Sequence, residues 1–235
     1  MTMKIIGLLL ASLLALGAHA PAPAPLRHLV YRFGYNTDVA NSGNGTGTTT
    51  IDILGAAPDG GVTVTGTDSW WNTARPRATN TCEVYPNGGV SCAQAPYAIS
   101  PMQLTLFPLL AKKWFSGLAA GPTSTWTHHY DIKAAIIPGA PGFAGKLTTW
   151  KCTFTLNGKG AIAGSEHLIL VHQTGTMEQQ GGTYLKATEK ADIAYDPLEK
   201  VPAYVNEVRT HFPQRTVNNY DTIQVKLQTV SPRHQ

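Results

Sequence analysis

The sequence has few charged residues and no strongly basic or acidic segment. Only 14% of its 235 residues are Asp, Glu, Lys or Arg, and the formal net charge is +4. The basic residues are spread without a run, which argues against nucleic acid as a partner. A phosphate-binding loop, a dinucleotide fingerprint and a Gly-x-Ser-x-Gly elbow are also missing from the sequence. The usual signatures of nucleotide-dependent enzymes and of α/β-hydrolases are therefore absent.

Long apolar runs are missing everywhere except at the N-terminus. There, Lys4 precedes an apolar run at 5–16, and the small-x-small sequence Ala-His-Ala follows at 18–20. This pattern predicts a cleavable signal peptide over residues 1–20 and export to the periplasm or the medium. No later run reaches the roughly 18 residues of a membrane-spanning helix, so we expect no transmembrane segment in the mature chain. No Cys follows the cleavage site, and we expect no lipid anchor.

The rest of the chain divides into a short leader and a long region rich in turn formers. Residues 21–26 begin with Pro-Ala-Pro-Ala-Pro, which predicts an extended, semi-rigid leader. Threonine is frequent in residues 27–235, and the sequence holds 23 glycines and 16 prolines, as is typical of short strands and turns. Removal of 20 residues from 235 leaves 215, enough to bury a substantial core. We expect residues 27–235 to form a single β-rich domain.

Apolar and polar residues alternate with a period of two along about ten segments. In the clearest segment, Trp150 and Phe154 alternate with Lys151 and Thr153. This period is typical of half-buried strands. The Asn-Gly pair at 157–158 predicts a hairpin turn directly after this strand. Because no βαβ spacing is evident, we expect the strands to pair in antiparallel fashion.

Cysteine is scarce, but two of the three cysteines flank a hairpin sequence. Between Cys82 and Cys92, the sequence Pro-Asn-Gly at 86–88 suits a three-residue hairpin loop. With this loop, the flanking strands pair so that the two cysteines face each other in a non-hydrogen-bonded pair, with Cα atoms about 4.5 Å apart. We therefore predict a disulfide bond between them. In the chain-entropy model, closing so short a loop contributes about 3 kcal/mol.

Residues 100–117 form the single segment of the mature chain that reads as a helix. Ser100 suits the N-cap, a proline follows at the first helical position, and Gln103 completes a capping box. Pro108 predicts a kink or two short helices, with Gly117 as the stop. The residues expected to face solvent are mainly Gln103, Thr105, Lys112 and Lys113. Since the rest of the helix is apolar round most of its girth, it must be enclosed.

These elements predict a mainly β fold. A sheet of about ten strands has to curl, close or split into two layers. Because the apolar helix needs cover, we predict a single curved antiparallel sheet, or half-barrel, wrapped around one proline-kinked helix. A two-layer β-sandwich is the alternative.

Several features follow one another in a recognisable order. They are the signal peptide, the early strands, the disulfide hairpin, the helix, the strand entry from Gly121 to Trp126, and a closing hairpin with Ala-Tyr-Asp-Pro at 194–197 and Val-Pro at 201–202. In this order they resemble the uncharacterised secreted bacterial half-barrel proteins. The fold of that family is similar to that of periplasmic lipoprotein carriers, so the resemblance implies a curved sheet around a helix. It implies no catalytic residue.

The histidines show no metal-ligand spacing. His128 and His129 point to opposite faces of a strand, as do His167 and His172. A site that combines His128 with His167 or His172 needs a matching strand register and a carboxylate such as Asp131. We predict no metal ion, no cofactor and no catalytic residue.

The third cysteine is Cys152, which shares a strand face with Trp150 and Phe154. This setting predicts a buried, inert thiol and not a nucleophile. A hydrolase is therefore the least favoured of the functions considered.

The functional hypothesis rests on apolar residues predicted to face the interior. They are Tyr31, Phe33, Leu106, Leu110, Trp114, Trp126, Tyr130, Trp150 and Phe154. If the sheet and the helix leave space between them, these residues surround a pocket for a lipid or another hydrophobic molecule. If the space is filled, the same residues are core. The first hypothesis is an exported protein that binds a hydrophobic ligand in the cell envelope.

The alternative is a structural or adhesive envelope protein without a ligand, whose contacts include one of Trp70 and Trp71. The sequence indicates no specific protein partner.

Overall fold

The computed structural model describes residues 25–38, 44–57, 59–71, 78–92, 99–134, 147–165, 167–180, 186–212 and 219–231. The predicted signal peptide, residues 1–20, and residues 21–24 of the leader lie outside this described part. The secondary-structure elements are the strands β1 (Arg27–Thr37), β2 (Gly45–Ala56), β3 (Val62–Trp70), β4 (Ala78–Val84) and β5 (Val90–Ser91), the helix α1 (Pro101–Leu109), a 3₁₀ helix (Ser116–Ala120), and the strands β6 (Thr125–Ala134), β7 (Thr148–Ala161), β8 (Ile169–Gln180), β9 (Lys186–Asp196), β10 (Val201–Phe212) and β11 (Asn219–Ser231).

The eleven strands form one sheet that closes into a barrel. Neighbours in the sheet are also neighbours in the chain, and β1 pairs with β2 on one side and with β11 on the other. The prediction of a mainly β fold, with one curved sheet around one apolar helix, is confirmed. The sheet closes completely, and closure removes the two edges whose unpaired backbone groups an open sheet would expose.

One junction of the barrel departs from the predicted antiparallel pairing. Strands β5 and β6 are parallel, with Val90 opposite Ile132 and Ser91 opposite Lys133. The chain between these strands passes through α1, and parallel strands need such a crossover connection. The sequence reading missed this unit because β5 has only two residues, too few to show a period.

The predicted disulfide is present at the hairpin between β4 and β5. Cys82 and Cys92 are bonded, and their Cα atoms lie 4.3 Å apart. Val84 faces Val90 in the ladder, and Gly88 has the positive φ of 100° that the predicted loop requires. The disulfide therefore links β4 to the residue that directly follows β5, the two-residue strand that pairs with β6.

Helix α1 is enclosed, as its composition predicts, and residues 102–109 are all buried. Ser100 caps the helix, since its Oγ accepts a hydrogen bond of 3.1 Å from the backbone N–H of Gln103. The helix ends one residue after Pro108, because a proline has no N–H to donate to the preceding turn. Tight turns and the 3₁₀ helix follow. The predicted stop at Gly117 is wrong, since the 3₁₀ helix continues to Ala120, before Gly121 at a φ of 134°.

Two helix residues expected to face solvent are buried instead. The Gln103 side chain accepts a hydrogen bond of 2.8 Å from Asn80 Nδ2 and donates one of 3.1 Å to the carbonyl oxygen of Gly66. Thr105 is also buried, and its hydroxyl donates to Glu207 at 2.7 Å. Both side chains attach the helix to the barrel wall, because the interior is polar opposite them.

The predicted hairpin turn at 157–158 is wrong, because β7 continues through it to Ala161. A bulge interrupts its pairing with β8 between Gly158 and Gly160. The Gly158 N–H donates to the carbonyl oxygen of Ser124 at 2.8 Å, and a Cβ on Gly158 would lie 2.4 Å from the carbonyl oxygen of Pro122. The glycine therefore allows a close backbone approach within a strand and does not form a turn.

Aromatic rings fill much of the barrel interior by lying against glycines on neighbouring strands. Phe33 pairs with Gly47 and Phe154 pairs with Gly175 in the ladder. A Cβ on Gly47 would lie 2.6 Å from Phe33 Cζ, and one on Gly175 would lie 2.2 Å from Phe154 Cδ1. The missing side chains thus provide the space that the rings occupy.

Candidate functional site

The residues predicted to bind a ligand are mostly packed into the core of the barrel. Tyr31, Phe33, Leu106, Trp114, Trp150 and Phe154 are at most 3% exposed, and Tyr130 is 7% exposed. The ring centroids of Trp114 and Tyr130 lie 5.3 Å apart, and those of Tyr130 and Phe154 lie 5.8 Å apart. Trp126 is half-buried beside them. Leu110 is half-buried against the same core and lines a cavity at one end of the barrel.

This cavity, here called the mouth pocket, has a volume of about 460 Å³. It lies between the segment that follows α1, the turn between β9 and β10, and the first residues of β1. Its lining comprises Arg27, Ile53, Leu110, Ala111, Lys112, Phe115, Ser116, Tyr195, Pro197, Lys200 and Val201. The volume lies within the range of pockets that hold small molecules.

The apolar part of the mouth pocket contains an aromatic pair. Phe115 and Tyr195 stack with ring centroids 3.9 Å apart and planes inclined by 19°. Phe115 is buried and Tyr195 is half-buried, and burial raises the pKa of the Tyr195 hydroxyl, with a further contribution from Asp196. Leu110 lines the pocket as the residue directly after the helix, which ends at Leu109, one residue beyond Pro108. The helix stop thus positions one side of the pocket.

Hydrogen bonds fix the other side of the mouth pocket at the turn between β9 and β10. Asp196 Oδ1 accepts from the backbone N–H of Leu198 at 2.9 Å and of Glu199 at 3.1 Å. Arg27 donates to the carbonyl oxygen of Glu199 at 2.7 Å and to its carboxylate at 2.8 Å. The turn is therefore held against β1, and it presents Lys200 at the pocket.

The charged residues that line the mouth pocket are all basic. They are Arg27, Lys112 and Lys200, and no acidic side chain belongs to the described lining. Arg27 is paired with Glu199 outside the pocket. Lys112 and Lys200 are exposed, and neither forms a salt bridge with a described residue. The pocket therefore combines apolar walls with two lysines that have no ion-pair partner in the described part of the chain.

A second cavity of about 650 Å³ lies beside the disulfide hairpin. It is lined by Asp59, Tyr85, Pro86, Asn87, Gly89, Lys113, His129, Tyr130 and Asp131. Acidic and basic side chains both occur there, and apolar side chains are few. Tyr130 is the predicted ligand residue that borders it. This cavity is more open to solvent than the mouth pocket and has fewer aliphatic side chains in its lining.

His128 belongs to an aromatic cluster inside the barrel. Its ring stacks on Trp114 with centroids 4.5 Å apart, and its Nε2 lies 2.8 Å from the Trp114 carbonyl oxygen. Trp126 Nε1 donates to the same carbonyl at 2.8 Å. Burial lowers the pKa of His128, although the bond to the Trp114 carbonyl opposes this shift. Neutral His128 therefore serves as a hydrogen-bond donor in the core.

A charged cluster adjoins these rings in the interior, since Glu189 and Phe154 lie on either side of Gly175 in the ladder, and the sequence patterns did not predict it. Arg209 forms ion pairs with Glu207 and with Glu189, the latter with Nη2 and Oε2 3.3 Å apart. All three side chains are at most 6% exposed. Gln173 donates to Glu189 at 2.7 Å, and Thr105 of α1 donates to Glu207. The cluster thus connects three barrel strands to the helix.

Burial raises the pKa of Glu207 to about 8, since desolvation outweighs the attraction of Arg209 and Glu189 adds repulsion. One guanidinium faces two buried carboxylates, so the cluster takes up a proton more readily than exposed carboxylates do. The strand period contained a signal for this cluster. Glu189 is in phase with the inward Ala187 and Ala191, and Glu207 with the inward Val205.

The described residues contain no group of three or more His, Cys, Asp or Glu side chains that could hold a metal ion. His128 and His167 have different neighbours, since His167 lies 3.5 Å from Asp196 at the β9–β10 turn. His172 pairs with Asp192 on the adjacent strand. Cys152 is buried, and desolvation raises the pKa of its thiol, as expected for an inert cysteine.

Searches of protein-family models, curated proteins and solved structures find no match to this chain. Within the described part of the chain, no helix has the length and apolar character needed to cross a membrane.

Proposed function

We propose that this protein binds a hydrophobic, lipid-like molecule in the mouth pocket. The observation that carries the proposal is a cavity of about 460 Å³ whose walls include Leu110, Phe115 and Tyr195. Transfer of an apolar chain from water to such walls is favourable in proportion to the area that it buries. The packed core of the barrel supports the walls, because Phe115 and Val201 are themselves buried.

The proposed place of action is the cell envelope, after cleavage of residues 1–20. An exported protein with a disulfide between Cys82 and Cys92 fits an oxidising compartment. The closed barrel around a helix is compatible with a relationship to the secreted half-barrel proteins. Export is tested by expressing the full chain in a bacterium and measuring the mass of the envelope form, which should begin at Pro21. A mass that includes residues 1–20 would contradict cleavage.

Ligand binding is tested with the neutral fluorescent probe N-phenyl-1-naphthylamine. We expect saturable binding, and we expect Leu110→Ala to weaken it about five- to thirty-fold, since loss of a leucine contact removes about 1 to 2 kcal/mol. Leu198→Ala is the matched control. Leu198 is 76% exposed and does not line the pocket, so its removal should leave probe affinity unchanged.

Native mass spectrometry of gently purified protein provides a second measurement. We expect an additional mass from an apolar molecule, released by organic extraction. A bare chain mass in several lipid mixtures, together with no saturable probe binding, would overturn the proposal. Equal weakening by Leu110→Ala and Leu198→Ala would place any bound probe outside the mouth pocket.

A second candidate function is adhesion within the envelope without a bound ligand. It is supported by Trp71, which is 55% exposed and lies beside Arg32, with the guanidinium carbon 5.1 Å from the ring centroid. Exposed aromatic residues are common at contact surfaces. Trp71→Ala should abolish association with isolated envelope fractions if this candidate is correct, and should have no effect on it if the protein acts through the mouth pocket.

A further inference from the structure

We infer that the ligand of the mouth pocket is an amphiphile with an anionic head group, held by Lys112 and Lys200. This inference rests on the proposed binding function and names the chemical class of the ligand. Its basis is the charge of the lining. Three basic side chains and no described acidic side chain line the pocket, whereas the whole sequence contains 18 basic and 14 acidic residues.

The two lysines differ from Arg27 in having no ion-pair partner among the described residues. Arg27 uses its guanidinium to hold the β9–β10 turn through Glu199, so its charge is largely compensated. Lys112 and Lys200 have no carboxylate among the described residues within salt-bridge distance. Two exposed lysines in the lining of one cavity attract an anion to it.

Backbone geometry places both lysines at the rim. Lys112 follows the helix end at Leu109, in the turns that bring Leu110 and Phe115 to the pocket. Lys200 has a φ of 56° and is the sole described residue other than glycine with a positive φ. Glycine or asparagine would adopt this conformation at lower energetic cost. A lysine at this position supplies a charge that those residues would not.

The apolar walls and the cationic rim together match a single molecule with an apolar chain and an acidic end. A neutral lipid would leave both ammonium groups without a partner, and a small anion would leave the walls around Phe115 and Tyr195 in contact with water. Because the lysines are exposed, their attraction for the head group should weaken as ionic strength rises.

The experiment compares dodecanoate, dodecanol and dodecylammonium at low salt, below their aggregation concentrations, by displacement of N-phenyl-1-naphthylamine. We expect dodecanoate to bind at least tenfold more tightly than dodecanol, and dodecylammonium to bind most weakly. Lys112→Gln/Lys200→Gln should reduce dodecanoate affinity roughly ten- to thirty-fold, at about fivefold for each lysine, and leave dodecanol affinity unchanged. Dodecyl phosphate serves as a second anion and shows whether a carboxylate or a phosphate is preferred.

Lys113→Gln is the matched control, because Lys113 is the adjacent lysine but lines the other cavity. If all three dodecyl compounds bind equally, or if Lys113→Gln reduces dodecanoate affinity as much as the double variant does, the head-group inference is wrong and ligand binding itself stands. If the wild-type protein binds neither the dodecyl compounds nor the naphthylamine probe, the inference and the proposed function fall together.

Discussion

The barrel interior has an aromatic side and a charged side, which adjoin each other. The segment that runs from α1 to Trp114 contributes one residue to each, Trp114 to the first and Thr105 to the second. The aromatic side comprises Trp114, His128, Tyr130 and Phe154, whose rings pack together. The charged side comprises Glu189, Glu207, Arg209 and Thr105, which are joined by ion pairs and hydrogen bonds. Burial stabilises the first group directly, whereas the second is stable only while its charges are paired. Removing one residue from either side should therefore lower the free energy of unfolding for a different reason, loss of ring contacts on the aromatic side and an unpaired charge on the charged side.

The largest effect is expected for Arg209→Met on the charged side. The substitution leaves Glu189 and Glu207 buried without a cation, and loss of one partner from a buried pair costs about 3 to 5 kcal/mol. Urea unfolding of the mature protein measures the change. Arg27→Met is the control, because the Arg27–Glu199 pair is partly exposed and should contribute less than about 1 kcal/mol. Equal losses for the two variants would show that burial does not distinguish these pairs.

Trp114→Ala tests the aromatic side and should cost about 4 kcal/mol. Trp114 is fully buried, so the substitution removes ring contacts and leaves a cavity. Trp71→Ala, at an exposed tryptophan, is the matched control and should change the unfolding free energy by less than about 1 kcal/mol. A loss below 1 kcal/mol for Trp114→Ala would mean that the aromatic side does not stabilise the fold.

The pH dependence of stability should reveal the charged side through Glu207. Its pKa in the folded protein, about 8, lies above its ordinary value of 4.5, so the folded state holds the proton more tightly than the unfolded state. The resulting stabilisation is complete below about pH 4.5 and is lost as pH rises through 8. Between pH 6 and 8 the loss is on the order of 2 kcal/mol. Unfolding curves at each pH measure it.

Glu207→Gln should flatten this pH dependence, whereas Glu83→Gln, at an exposed glutamate, should not. An unchanged slope in Glu207→Gln would mean that another group takes up the proton.

Gly175→Ala tests how closely Phe154 is packed on the aromatic side. The added Cβ would lie 2.2 Å from Phe154, and the enclosed ring would have to move, at a cost of about 1 to 2 kcal/mol. Gly34→Ala is the matched control in another strand, because nothing lies within 4 Å of its added Cβ. A similar stability for the two variants in thermal unfolding would contradict the close packing of Phe154.

The smallest effect is expected from His128, with the opposite pH direction to Glu207. Burial lowers its pKa below 6.5, so the unfolded state takes up a proton first as the pH falls. Its contribution to stability is therefore present above the ordinary pKa and is lost on acidification through the lowered pKa. His128→Gln should remove this acid-side loss, as measured by unfolding between pH 7 and 5. His129→Gln, on the outer face, should retain it.

Much of the fold could be predicted because its signals are local. The alternation around Trp150 and Phe154 identified a strand, and the spacing around Pro-Asn-Gly at 86–88 identified the hairpin and the disulfide. The apolar girth of α1 required a cover, and the barrel supplies it. Each of these inferences depends on neighbours within about ten residues in the chain.

The errors arose where distant segments meet. Asn-Gly at 157–158 has the local signature of a turn, but contact with the carbonyl oxygens of Pro122 and Ser124 keeps it in a strand. Gln103 and Thr105 appeared suited to solvent, yet both side chains are buried. Polar groups of the barrel wall accept hydrogen bonds from them there. Local preference cannot reveal which distant group will satisfy a buried polar atom.

The amino-acid sequence by itself determined that this chain forms many two-period strands, one disulfide hairpin and one helix that must be covered. Hydrophobic period, capping and loop spacing suffice for that. Only the tertiary structure decided that the sheet closes through a two-residue parallel junction, that Arg209 lies between two buried carboxylates, and that Lys112 and Lys200 line the same cavity as Leu110. These outcomes depend on strand register and on contacts between residues far apart in the chain, which local patterns do not encode.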